Sequence, residues 1–102
     1  MRSLTTLKTL VFADAMAHGL WDGAAKASEF EKRCAAAVRI QDEVQELMDA
    51  ANDPAHYAEE LADVVIMALS TAGLLGIDIE IEVGRKMLIN RCRPYQHREE
   101  TT

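Results

Sequence analysis

Apolar residues recur along this chain at helical rather than strand spacing, and they divide it into four stretches. In the first, from about Leu4 to Ala17, Leu4, Leu7, Leu10, Val11 and Phe12 carry the pattern, and Gly19 is a natural stop. Gly19-Leu20-Trp21-Asp22-Gly23 reads as a turn. A second helix opens somewhere between Ala24 and Ser28. Ser28 with Glu31 three residues on fits a capping box, which favours the later start. The helix then runs through the alanine-rich residues 34–38 to about Ala51.

Asn52-Asp53-Pro54 breaks the pattern, with Asp53 suited to cap a third helix and Pro54 to occupy its first turn. This helix continues to about Leu75. Residues 64–77 contain no charge, and the later part is apolar nearly all round, so it needs cover on several sides. A chain of 102 residues has few neighbours to supply that cover. A homodimer or homotetramer is therefore expected. Gly76 ends the third helix, and Asp78 caps a fourth that reaches about Cys92, before Pro94. The tail from Gln96 is polar. The pattern predicts one all-α domain over residues 1–102, a four-helix bundle with helices packed across an oligomer interface.

Composition narrows the choice of function. Asp and Glu number 17 against 11 Lys and Arg, a net charge of −6, which disfavours non-specific binding to nucleic acid. A phosphorylated ligand would need metal ions and local bases to offset that charge. Cys34 and Cys92 have no metal-ligand spacing, so buried, reduced thiols and a cytoplasmic location are expected. The apolar run near the N-terminus is short and interrupted by Asp14, and no segment has the length of a membrane span.

Two carboxylate pairs suggest chemistry. Glu43 and Glu46, and Glu60 and Asp63, each have i, i+3 spacing, which places both members on one side of a helix. Spacing alone says little, since this acidity gives roughly three such pairs by chance and the chain has three, counting Glu46 with Asp49. Position says more. Glu60, Asp63, Met67 and Ser70 share one side of the third helix, and Asp63 opens the uncharged run, where a carboxylate is expected to be partly buried. Glu43 and Glu46 border the stripe of Ile40, Val44 and Leu47. Antiparallel packing would gather four acids, a donor set suited to Mg²⁺ or Mn²⁺. Pairing with Arg39 is the structural alternative. On the fourth helix Lys86, Asn90 and Arg93 form an i, i+4, i+7 stripe, suited to phosphate oxygens or equally to a solvated helix end.

In order and spacing, these elements resemble the MazG-like all-α nucleoside triphosphate pyrophosphatases. The family pattern of E-x-x-E, then E-x-x-D, then K-x-x-x-N-x-x-[RK] is matched by Glu43/Glu46, Glu60/Asp63 and Lys86/Asn90/Arg93, within residues 39–94. The resemblance implies hydrolysis of the α–β bond of a (deoxy)nucleoside triphosphate, giving a monophosphate and pyrophosphate. It implies Glu43, Glu46, Glu60 and Asp63 as Mg²⁺ ligands and Lys86, Asn90 and Arg93 as triphosphate contacts. Many members have two glutamates at the start of the first motif, whereas here Asp42 precedes Glu43. Either acid is a candidate general base. Trp21 is a candidate for stacking on the base, or a core or interface residue, and Tyr95 for closing over phosphates or packing the helix end. Phe12, Phe30, His18 and His56 are further candidates near the base. A phosphoribosyl-nucleotide pyrophosphatase and a non-catalytic helical interaction module are the competing readings. Base, sugar and biological role stay open.

Overall fold

The computed structural model describes residues 3–94. Within them four helices follow one another: α1 (Leu4–Ala17), α2 (Glu29–Asp49), α3 (Pro54–Leu75) and α4 (Ile79–Arg91). No strand is present among the described residues. Side-chain caps start each helix. Ser3 accepts from the Thr6 amide, Asp53 from His56 and Asp78 from Ile81. At α2 the capping box is complete. The Glu31 amide donates to Ser28 Oγ at 3.1 Å, and the Ser28 amide donates to Glu31 Oε1 at 2.8 Å. These paired bonds set the start of α2 after Ser28, and Ala24–Lys26 forms only a short 3-10 turn. Gly76 stops α3 in the left-handed region, φ 66°, where a side chain would cost on the order of 1 kcal/mol.

The third helix is central, packing against α2 on one side and α1 on the other, while α4 packs mainly on α1. Both neighbours run antiparallel to α3. Late residues of α2 meet early residues of α3. Early α1 lies by the end of α3, where Lys8 Nζ donates to the Ile77 carbonyl at 3.1 Å. Gly73 permits close approach of α1, because a Cβ there would lie 2.5 Å from Phe12 Cγ.

The core is small: Trp21, Ala36, Ala50, Leu69 and Ala72, with Ser70 as its buried polar member. Trp21, 6% exposed, donates from Nε1 to Ser70 Oγ at 2.8 Å, which ties the α1–α2 connection to α3. Replacing Trp21 by Phe leaves Ser70 Oγ without this donor and removes ring volume. The expected cost is about 1–3 kcal/mol. A melting temperature equal to that of the unaltered chain would contradict this role.

Much apolar surface is left uncovered. Leu61, Val65 and Ile66 of α3 and Ile81, Met87 and Leu88 of α4 are exposed. Cys34 and Cys92 are free and exposed, which corrects the expectation of buried thiols. In residues 34–38 only Ala36 reaches the core, so position 34 falls on the outer face of α2. Among the described residues no single helix is long and apolar enough to cross a membrane.

Candidate functional site

The antiparallel α2–α3 pair brings together side chains that are distant in sequence. Glu43 lies six residues before the end of α2, and Glu60 and Asp63 lie in the first half of α3. One carboxylate oxygen from each of the three falls within 4.8 Å of the others. The electrostatic consequence is concentrated on Glu43, whose pKa is raised from 4.5 to about 7. Burial is the largest cause, followed by the adjacent Glu46 carboxylate and then the charges of Asp63 and Glu60. Four acids from two helices thus act on one another. Three converge closely, and Glu46 lies beside them through Glu43.

Glu60 is held from its own helix. His56, one turn earlier, places Nε2 3.0 Å from Glu60 Oε1. The i, i+4 spacing was visible in the chain, but only the placement of Glu60 in the cluster gives it meaning. Asp63 is exposed, which corrects the expectation that it would be partly buried. α2 brings Glu43 to this stretch of α3, and α1 makes its close approach further along, at Gly73. Asp42 is exposed and is not among the three converging carboxylates.

Arg39 does not pair with the acids. Its guanidinium lies over the Trp21 ring, 5.5 Å from the centroid. Trp21 is therefore a core residue in this conformation. It is buried, with Arg39 over one face of its ring, and it also lines a cavity with Leu20, Ala27, Ala35 and Leu74. Phe12 packs beside Gly73, whereas Phe30 is exposed.

The basic stripe is not brought to the acids within one chain. Helix α4 begins about 18 Å along α3 from Asp63 at 1.5 Å per residue, and the chain bends by 114° between the two helices. Lys86, Asn90 and Arg93 are exposed, and no hydrogen bond or ion pair among the described residues joins them to the acidic cluster. Tyr95 lies outside the described residues.

Among curated proteins, the chain is 42% identical over 57 residues to a dATP/dGTP diphosphohydrolase of Cyanophage S-2L. That stretch is 56% of this chain and 52% of the relative, so the similarity spans about half the length of each. No family model and no solved structure matches.

Proposed function

We propose that this chain is a divalent-metal-dependent nucleoside triphosphate pyrophosphatase, of the MazG-like kind, that cleaves between the α- and β-phosphates. The observation that carries this reading is the convergence of Glu43, Glu60 and Asp63 from two helices. The relative's name, with its two purine deoxynucleotides, supports the substrate class. The donor set fits a hard cation: three carboxylate oxygens within 4.8 Å of one another, and one acid whose pKa is raised by burial and by the neighbouring carboxylates. Glu43, Glu46, Glu60 and Asp63 would hold Mg²⁺ or Mn²⁺. When bound, the ion neutralises phosphate charge and acidifies water.

The protein's own groups supply the rest. Water oxygen attacks the α-phosphorus, the bond to the bridging oxygen breaks, and pyrophosphate leaves with the electron pair. A carboxylate takes the water's proton. A carboxylate outside the ion's coordination is suited to this, and Glu43 and exposed Asp42 are the acids the sequence offers. His56 holds Glu60 in place. Lys86, Asn90 and Arg93, which lie away from the acids within one chain, would contact the phosphates from a second copy in this reading, with charge-assisted bonds from the two cations to the leaving group. The test is incubation with Mg²⁺ and a panel of nucleoside triphosphates. Monophosphate plus pyrophosphate is expected, and release of orthophosphate would overturn the bond assignment.

The same reading makes the chain a homodimer or homotetramer. Exposed Ile81 and Leu88 on α4 and Leu61, Val65 and Ile66 on α3 leave too much apolar surface for one small domain. Light scattering should give a multiple of 11.3 kDa, and a mass of one chain would sink the assembly.

A further inference from the structure

The acids account for the phosphate end of a nucleotide and leave the base unassigned. Met67 follows Asp63 by one turn on the same face of α3, about 6 Å along the axis. At Met67 a cleft of about 270 Å³ opens between α3 and the C-terminal end of α1. Its walls are Val11, Ala15, Ile66 and Met67, and Asp14 and His18 supply polar groups on the α1 side. The size suits one ring system rather than a whole nucleotide, since pockets for complete small ligands start near roughly 300 Å³. Apolar walls suit the faces of a heterocycle.

The polar groups have a definite sense. His18 Nδ1 lies 2.8 Å from the Asp14 backbone oxygen. A carbonyl oxygen can only accept, so Nδ1 donates, and the neutral ring is left with Nε2 as an acceptor. The Asp14 carboxylate also only accepts, and no ion pair among the described residues occupies it. The α1 side of the cleft therefore asks its ligand for donors, while Ser70, which also lines it, accepts from Trp21 and keeps a hydroxyl proton to give. Guanine places two adjacent donors, N1–H and the 2-amino group, on one edge, a bidentate match for a carboxylate. Adenine and cytosine set an amino donor beside an acceptor nitrogen, and thymine and uracil have a single N–H between two carbonyls.

We infer that this cleft is the base pocket of the site proposed above, and that Asp14, with His18, selects guanine. The inference rests on the nucleotide reading of the acidic cluster. It makes Asp14 a specificity-determining residue that touches the base edge away from the phosphates.

The test is calorimetric titration of the intact chain with dGMP, dIMP and dAMP. Inosine differs from guanosine by the missing 2-amino group alone. Binding of dGMP should exceed that of dIMP by roughly tenfold or more, and dAMP should bind more weakly than dGMP, given the discrimination of a good bidentate pair. In Asp14→Asn the dGMP-to-dIMP ratio should fall to about one, because the amide replaces one acceptor with a donor. Asp14→Glu, which keeps the carboxylate, should restore part of the ratio. Asp14 is exposed, so a circular dichroism melt distinguishes lost recognition from lost fold. Equal binding of the three monophosphates, no binding of any, or an unchanged ratio in Asp14→Asn overturns the assignment. Pyrophosphate release is read separately. Turnover without base selectivity sinks the pocket and keeps the hydrolytic reading, whereas selective binding without turnover does the reverse.

Discussion

Asp63→Asn is expected to lower turnover by about a thousandfold or more. A bound metal contributes several kcal/mol to the charge balance of phosphoryl transfer, and about 4 kcal/mol corresponds to that factor. The substitution keeps size and helix position while removing one of three converging charges. Asp63 is exposed, so the amide creates no cavity. It also removes one of the charges that raise the Glu43 pKa, and the metal-free protein should therefore be at least as stable as before near pH 8. The combination is diagnostic: a residue serving only the fold would lose stability along with activity. Thermal stabilisation by Mg²⁺ should weaken in the same variant. Full turnover in Asp63→Asn would remove Asp63 from the metal site.

A second large effect is a dependence of stability on pH that divalent metal reverses. The pKa of Glu43 is near 4.5 in the unfolded chain and about 7 in the fold. Between these values the folded state holds the proton more tightly. The contribution is therefore fully present below pH 4.5, fades as pH rises, and is lost above about pH 7. The metal-free protein should melt several degrees lower at pH 8 than at pH 5 from this group, at roughly 4–8 °C per kcal/mol. Partial exposure of Glu43 keeps the effect below its full unscreened size. Mg²⁺ or Mn²⁺ competes with that proton, so metal affinity should rise through pH 7. At one hundred times its Kd, a ligand of the native state adds about 2.7 kcal/mol, on the order of 10 °C for a domain of this size. Melting curves at pH 5 and pH 8, with and without metal, read all four states. A metal-induced shift no larger at pH 8 than at pH 5 would remove Glu43 from the site.

The helices were legible because their signals are local. Ser28 with Glu31, Asp53 with Pro54, Gly76 and Asp78 act within one turn of themselves, and the structure puts helix ends at each of them. The two acid pairs were legible in the same way, as neighbours on a helix face. Their meeting followed from the antiparallel return at Asn52-Asp53-Pro54.

Other features depended on which face of one helix meets another. Exposure of Asp63, the seat of Trp21 on Ser70 and the departure of Arg39 to the Trp21 ring all follow from how α1 and α2 flank α3. The cleft beside Met67 exists only because the C-terminal end of α1 arrives there, bringing Asp14 and His18. The separation of Lys86, Asn90 and Arg93 from the acids is likewise set by the 114° bend after Gly76, which no helical periodicity encodes.

By itself, then, the sequence determined the all-α class, the helix ends and the acids able to meet, because capping and periodicity are short-range. Only the tertiary structure decided that Glu43, Glu60 and Asp63 form the close trio, that Trp21 belongs to the core, and that an apolar cleft opens one turn from Asp63. These are questions of distance between segments far apart in the chain. Their answers come from side-chain packing across helices, such as Phe12 against the bare backbone at Gly73.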